Sequence, residues 1–251
     1  SPTTMCPAMR LIAASLLPTS LFACSSCTDD PAQNTSTPPE TANAAANATP
    51  GGAGCPPART PDDWHMVDTL FATMGGVNGR TVADLFVGDG YYTMKLLEAG
   101  ARVIAMDDDP NNLAALEARK KAMGICDERL VIRQATPGAP NLAANEVDIA
   151  LCTRELLTIP DQAAYFRKLL PCIRSPHNLF VVNFLPEQTP MGPPMEQRMD
   201  EIAAMDIVGP GGFSDIGTYS KKLPYRFLMQ AQVFAGEAGE VEAMPTGTNN
   251  P

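Results

Sequence analysis

The chain has 251 residues, of which 45% are hydrophobic and 18% are charged. This composition provides enough apolar side chains for one domain of ordinary size together with additional segments. Acidic residues outnumber basic ones, 28 to 18, and give a formal net charge of −10 at pH 7. Because a negative surface repels phosphate groups, we expect no nucleic-acid partner and expect a small molecule or a protein instead.

The N-terminal segment is typical of an export signal. Arg10 precedes an apolar run over residues 11–23 that is too short to span a bilayer as a mature helix. The run leads into Cys24, and Leu21-Phe22-Ala23-Cys24 resembles a bacterial lipobox, although Phe22 is an uncommon choice at its position. Residues 1–24 are therefore predicted to be a signal peptide, with Cys24 as the lipidated first residue of the mature protein. A buried apolar N-terminal helix is the alternative.

The predicted lipid anchor implies a location in the cell envelope. Ser25 and Ser26 follow Cys24, so no aspartate stands directly after it to favour retention in the inner membrane. We expect an outer-membrane lipoprotein that faces the periplasm and meets the membrane only through its lipid anchor.

A tether is predicted to separate this anchor from the domain. Residues 28–54 contain no Val, Ile, Leu, Met or aromatic side chain. Such a segment cannot bury enough apolar surface to offset its chain entropy. We therefore predict a disordered tether over residues 25–59, a domain over residues 60–235 and a flexible tail over residues 236–251.

The domain is predicted to open with a helix that starts near Thr60-Pro61 and ends at Gly75-Gly76. His65 lies on this helix and is expected at the surface or at the rim of a site. Strand patterns then alternate with helix patterns, which predicts a parallel sheet covered on both faces with its ligand at the carboxyl ends of the strands. Predicted strands occupy residues 82–86, 101–106, 130–134, 147–151 and 179–184, with two more after Phe213 and within 223–234. A further helix is predicted over residues 195–205.

The first strand of this series leads into a glycine turn. Gly88-Asp89-Gly90 follows the strand directly, and a helix pattern begins at Thr93. Glycines at such a turn allow a sharp change of direction and a close approach of the backbone to a ligand. The second strand stops at Asp107, whose carboxylate is suited to accept hydrogen bonds from both hydroxyls of a ribose. The pair of features predicts a nucleoside-bearing cofactor.

The series Asp84-x-x-x-Gly88-x-Gly90 followed by Asp107 resembles motif I and the acidic tip of the class I S-adenosylmethionine-dependent methyltransferases. The resemblance implies an α/β fold with a seven-stranded, doubly wound, Rossmann-like sheet, helices on both faces and an antiparallel last strand. It implies S-adenosylmethionine as the cofactor. The cofactor-binding residues that it implies are Asp84, Phe86, Val87, Gly88, Asp89, Gly90, Asp107, Asp108 and Thr136.

Three positions depart from the family pattern. Phe86 stands where the family has its first glycine, and Ala135-Thr136 stand where it usually has Gly-Asp beside the adenine. Close relatives tend to have a polar, His-bearing segment after the fourth strand, whereas this chain has residues 152–157, Cys-Thr-Arg-Glu-Leu-Leu. These departures bear on catalysis more than on fold.

Methyl transfer to an unidentified small-molecule acceptor is therefore predicted, with the acceptor near Arg154, Glu155 and Pro190–Pro194. The segment around Pro190–Pro194 is either an acceptor-side lid or a rigid connector. No catalytic base is named, and no metal site is predicted. The alternatives are an inactive methyltransferase-like binding protein tethered to the envelope and, less favoured, a nicotinamide-dependent oxidoreductase.

The cysteines leave the disulfide pairing open. Cys27 and Cys55 bracket the tether and are able to close a loop in an oxidising compartment. Cys152 borders the predicted site but is interpreted as a packing residue. The set without an assigned pairing is Cys27, Cys55, Cys126, Cys152 and Cys172.

Overall fold

A computed structural model of the chain describes Asp63 and residues 65–233. The predicted signal peptide, the lipidation site at Cys24, the tether and the tail lie outside the described residues, as do Cys27 and Cys55. The envelope location and the boundaries of the domain therefore stay predictions.

Five α-helices with described bounds and seven strands follow Met66, joined in places by short 3-10 turns. The helices are α1 (Val67–Thr73), α2 (Tyr91–Glu98), α3 (Pro110–Ala122), α4 (Gln162–Leu169) and α5 (Glu201–Val208). The strands are β1 (Thr81–Leu85), β2 (Arg102–Asp107), β3 (Leu130–Gln134), β4 (Val147–Cys152), β5 (Ile173–Phe184), β6 (Asp215–Leu223) and β7 (Arg226–Gln232).

The seven strands form one sheet in the order β3-β2-β1-β4-β5-β7-β6. Strands β1 to β5 are parallel, and β7 runs antiparallel to both of its neighbours. The chain changes direction across the sheet between β1 and β4, and an open sheet of this kind forms its ligand crevice at such a point. The predicted fold, including the antiparallel last strand, is confirmed.

Alternating side chains of the strands bury the two faces of the sheet in separate cores. On β1, Ala83 and Leu85 face the core that α4 and α5 cover, whereas Val82 faces the core that α1, α2 and α3 cover. This alternation is the expected consequence of the two-residue period of a strand. Helices on both faces are thus confirmed, and the carboxyl ends of the strands form one edge above both cores.

The predicted helix from Thr60-Pro61 to Gly75-Gly76 is interrupted at Met66, which has a left-handed backbone, and α1 begins at Val67. The predicted helix over residues 195–205 is also wrong in its extent. Residues 195–205 were expected to be one helix, but the structure has a 3-10 turn at Met195–Gln197, extended backbone at Arg198, and then α5 from Glu201. The side chain of Asp200 accepts a hydrogen bond from the backbone N–H of Ala203 and so fixes the true helix start. None of the helices described is long and apolar enough to cross a membrane.

Candidate active site

The glycine turn joins β1 to α2 and places backbone without side chains at Gly88 and Gly90, at the edge of the sheet. Gly88 and Gly90 have positive φ angles of 54° and 76°. A Cβ atom on Gly90 would come within 3.1 Å of the Leu116 side chain, so this glycine lets α2 pack against α3. A Cβ atom on Gly88 would meet nothing within 4 Å. Gly88 therefore faces open space at the site, and its backbone is accessible to a ligand.

Asp107 fixes this turn against the end of β2. One carboxylate oxygen accepts a hydrogen bond from the backbone N–H of Gly88 at 2.9 Å, and the other accepts from Asp109 at 2.8 Å. Each oxygen keeps a further lone pair, since a carboxylate has about four acceptor positions. Asp107 also lines the cavity described below. The residues present thus fit an adenosine-bearing cofactor, with Asp107 able to accept from its ribose hydroxyls.

Asp84 lies below the turn and is fully buried. The Thr93 hydroxyl donates a hydrogen bond to one of its oxygens at 2.5 Å, while the other oxygen has no partner. The pKa of Asp84 is raised to about 7, chiefly by burial and also by the nearby Asp107 and Asp89, against the lowering effect of the Thr93 hydrogen bond. Asp84 does not line the cavity, and its contact with a cofactor stays a prediction.

Phe86 occupies the position of the family's first glycine in a left-handed conformation, with φ 60°. Its ring is buried and packs 5.4 Å from the ring of Tyr165. The guanidinium of Arg154 lies 4.4 Å above the ring and pairs with Asp108 at 2.8 Å. The stack of Phe86, Arg154 and Asp108 therefore spans the ends of β1, β4 and β2 within the predicted cofactor site.

The strand ends enclose a cavity of about 470 Å³. Ligand cavities are commonly of this size. The predicted site residues on its wall are Phe86, Val87, Gly88, Asp89 and Asp107, and the other lining residues are His65, Tyr91, Tyr92, Asn112, Thr153, Arg154, Glu155, Thr158, Val182, Phe184, Gln197 and Arg226.

A cluster of three polar side chains forms one side of this cavity. Arg226, on β7, donates a hydrogen bond to the Tyr92 hydroxyl at 2.8 Å, and His65 Nδ1 lies 2.8 Å from the same oxygen. The His65 ring stacks on Tyr91 with ring centroids 4.1 Å apart. Burial raises the pKa of Tyr92, although Arg226 opposes this. His65 is thus a rim residue in contact with the site, whereas no sequence pattern pointed to Arg226.

Asn183, near the end of β5, fixes the loop after β4 and is also new from the structure. Its side chain is fully buried, accepts a hydrogen bond from the Leu156 backbone at 2.9 Å and donates one to the Arg154 carbonyl at 2.9 Å. These two bonds hold the backbone on both sides of Glu155. The Glu155 carboxylate lines the cavity, and one of its oxygens is buried without a hydrogen-bond partner.

Burial also perturbs the acidity of two groups at the end of β4. The pKa of Glu155 is raised to about 7 because burial outweighs the lowering effects of the Phe184 backbone hydrogen bond, Arg226 and Arg198. Burial likewise raises the pKa of the Cys152 thiol to about 12. The thiol therefore stays protonated at neutral pH, which agrees with a packing role.

The remaining predicted site residues lie apart from the cavity wall. Thr136 forms a bend after β3, where its hydroxyl donates to the Ala139 carbonyl at 3.4 Å, and it is exposed. Asp108 faces Arg154, and Gly90 starts α2. The cofactor contacts assigned to these residues stay predictions.

The proline-rich segment is held by Arg198. Its guanidinium donates to the carbonyls of Pro193, Glu187 and Met191 and to the Thr189 hydroxyl. A Cβ atom on Gly192 would come within 2.7 Å of the Phe184 ring, so the segment packs closely on a residue of the cavity wall. These contacts favour the connector interpretation, and Gln197 extends the segment to the cavity.

Comparisons with known proteins agree with this geometry. The sequence model of a family described as a methyltransferase domain matches residues 83–175, from β1 into β5. A protein of Mycobacteroides abscessus named an uncharacterized methyltransferase is 32% identical over 133 residues. The match covers 52% of this chain, and the chain spans about half the length of that relative, 50%.

Solved structures share the fold. A SAM-dependent methyltransferase from Aquifex aeolicus superimposes with a TM-score of 0.62 at 18% identity, covering 69% of this chain and 94% of that one. A putative type 11 methyltransferase from Sulfolobus solfataricus superimposes with a TM-score of 0.54 at 19% identity, and the match covers 68% of this chain and 93% of that one. At such identities the likeness shows the fold alone. The chain is therefore similar to a methyltransferase domain in sequence over residues 83–175, and the described residues have the fold of S-adenosylmethionine-dependent methyltransferases.

Proposed function

We propose that this domain binds S-adenosylmethionine at the carboxyl ends of β1, β2 and β4 and transfers its methyl group to a small-molecule acceptor. One observation carries the proposal: a single cavity of about 470 Å³ joins the Gly88 turn and Asp107 to polar groups of β4 and β7. The predicted cofactor site and a second wall of different chemistry therefore line the same cavity.

The two walls suggest a division of roles. Asp107 and the backbone of Gly88 would hold the cofactor, which supplies an electrophilic methyl group when bound. Tyr92, Arg226 and Phe184 on the other wall would hold the acceptor. Since methyl transfer depends chiefly on the placement of the reactants, a rigid, hydrogen-bonded wall is an adequate means of catalysis.

Calorimetric titration of the full chain with S-adenosylmethionine and, separately, S-adenosylhomocysteine tests the cofactor part. We expect micromolar binding of both ligands. Asp107→Ala should weaken both, because it removes the acceptor of the ribose hydroxyls and releases the Gly88 turn. Asp206→Ala, which changes an exposed aspartate on α5, is the matched control and should bind as the unaltered protein does. Failure of the unaltered protein to bind either ligand would overturn the proposal.

The stack of Phe86, Arg154 and Asp108 favours a second candidate, a binding protein on the same scaffold that has lost turnover. A phenyl ring and a guanidinium occupy space that a glycine leaves open in the family pattern. Phe86→Gly separates the two functions, since glycine also accepts the positive φ without strain. If the ring obstructs the cofactor, affinity for S-adenosylmethionine should rise in the variant. An unchanged affinity would remove the reason for the second candidate.

We also propose that the protein works in the cell envelope as a lipoprotein. The lipobox-like Leu21–Cys24 supports this location, and the acidic composition of the chain agrees with an acceptor other than nucleic acid.

A further inference from the structure

Glu155 differs from the other carboxylates at the cavity in its hydrogen bonding. Among the described residues, only Asp84 and Glu155 have a buried side-chain polar atom without a partner, and of the two only Glu155 lines the cavity. The Asn183 side chain holds the backbone on either side of Glu155, so the carboxylate is presented from a fixed position. The carboxylate accepts a backbone hydrogen bond from Phe184, but its other oxygen is buried without a partner, which is costly unless a ligand compensates it.

The other charged groups named here already have hydrogen-bond or ion-pair partners. Asp107 accepts two backbone N–H groups, and Asp89 accepts one from Tyr91 and is exposed to water. Arg154 pairs with Asp108, and Arg226 donates to the Tyr92 hydroxyl. Arg226 and Arg198 attract the Glu155 carboxylate, but its buried oxygen remains an acceptor without a hydrogen bond at the cavity, which suits a cationic ligand group.

We propose that Glu155 is the counter-charge for the sulfonium of S-adenosylmethionine, and that it makes the site discriminate the charged cofactor from its neutral product, S-adenosylhomocysteine. A sulfonium carries positive charge but no hydrogen-bond donor, so it needs a carboxylate nearby rather than a hydrogen-bond acceptor of fixed direction. The inference rests on the proposed function, because it assumes that the cofactor occupies this cavity.

The effect should depend on pH in a defined direction. With its pKa raised to about 7, the Glu155 carboxyl is largely neutral at pH 6 and largely charged at pH 8. Preference for the sulfonium should therefore grow as the pH rises. The titratable and charged groups that lie around Glu155 are Cys152 on β4, Arg154 beside it, Arg198 after the proline-rich segment, Arg226 on β7, Tyr92 on α2 and His65 before α1.

The test is the ratio of two dissociation constants, that of S-adenosylhomocysteine divided by that of S-adenosylmethionine. The ligands share the adenosine, amino and carboxylate groups, so the ratio isolates the methyl group and its charge. Calorimetry on the full chain would compare the unaltered protein with Glu155→Gln, which keeps the shape and removes the charge. Glu196→Gln is the control, since Glu196 is exposed beside the cavity residue Gln197. Asp84→Asn tests the other carboxylate that has one buried oxygen without a hydrogen-bond partner.

We expect the ratio to fall about tenfold in Glu155→Gln at pH 8, the size of a partly solvated charge interaction, and to stay unchanged in Glu196→Gln. In the unaltered protein the ratio should rise between pH 6 and pH 8, whereas in Glu155→Gln it should be flat. Equal weakening of both ligands in Glu155→Gln would overturn the inference while leaving the proposed function intact. If the ratio still rises with pH in Glu155→Gln, the pH dependence comes from His65 or Asp84 instead, and the inference is overturned. Binding of neither ligand to the unaltered protein would refute the proposed function itself.

Discussion

The buried carboxyl of Asp84 predicts an unusual dependence of stability on pH. Its pKa is about 7 in the folded protein, compared with 3.8 for an ordinary aspartate. Below pH 3.8 the group is neutral in both the folded and the unfolded chain. As the pH rises toward 7, it ionises in the unfolded chain first and thereby favours unfolding. Above the pKa of the folded state, Asp84 is ionised in both states, and the loss of unfolding free energy that it causes is constant. Stability from this group is therefore present at low pH and is lost as the pH rises.

The substitution Asp84→Asn removes this dependence. Integrated between pH 5 and pH 7.5, the two pKa values correspond to a loss of about 2 to 3 kcal/mol in the unfolding free energy of the unaltered protein. The amide oxygen can still accept the Thr93 hydroxyl, and its NH2 group would replace the oxygen that has no partner. Burying the amide N–H donor without a partner lowers the unfolding free energy of the variant by about 1 to 3 kcal/mol, by the same amount at every pH. The prediction thus concerns the difference between the two pH values, not the stability at either one.

Urea unfolding of both proteins at pH 5 and pH 7.5 measures this difference. The raised pKa of Glu155 also lowers the unfolding free energy as the pH rises. Because Glu155 is present in both proteins, its contribution cancels when the two are compared. Asp206→Asn, at an exposed position, should follow the unaltered protein. If Asp84→Asn and the unaltered protein lose stability in parallel, Asp84 titrates as an ordinary aspartate and the argument from burial is refuted.

Three further predictions concern the backbone around the site and the anchor. Asn183→Ala should lower the unfolding free energy by about 2 to 4 kcal/mol in urea, because it leaves the buried Leu156 N–H without its partner and removes a hydrogen bond to the Arg154 carbonyl; unchanged stability would contradict this. Gly88→Ala should lower cofactor affinity in calorimetry more than it lowers the melting temperature, whereas Gly90→Ala should do the reverse, since its Cβ meets Leu116. Cys24→Ser should release the protein from the membrane fraction after cell lysis, and a variant that stays bound would exclude lipidation as the anchor.

The sheet was predictable from sequence because each strand carries a local signal. Apolar runs bounded by turn residues located β1 to β5, and β3 has the predicted bounds, Leu130–Gln134. The Gly88 turn and Asp107 were predictable for a related reason, since both follow directly from strand ends. The split of the predicted helix at 195–205 was missed because Asp200, an N-cap, was read as part of a continuous helical pattern.

The acceptor wall was not predictable in the same way. Arg226 and Tyr92 lie 134 positions apart in the sequence, and Asn183 reaches a loop 27 positions before it. Contacts between residues so far apart produce no periodic pattern and no characteristic spacing in the sequence, so a single sequence does not predict them. Glu155 was predicted near the acceptor, but its missing hydrogen-bond partner depends on burial, which only the three-dimensional arrangement determines.

The departures from the family pattern are connected in the structure rather than independent. The ring of Phe86 supports the guanidinium of Arg154, and Arg154 immediately precedes Glu155. Because Asp108 pairs with Arg154, the positive charge nearest to Glu155 in sequence is held away toward β2. The departures at Phe86 and at Thr153-Arg154-Glu155 would then be one change: the aromatic ring and the ion pair position Arg154 so that one oxygen of Glu155 keeps no hydrogen-bond partner at the cavity. On this argument, Phe86→Gly would alter the ratio of the two cofactor affinities as well as their absolute values, because Arg154 would lose its support and become able to compensate Glu155.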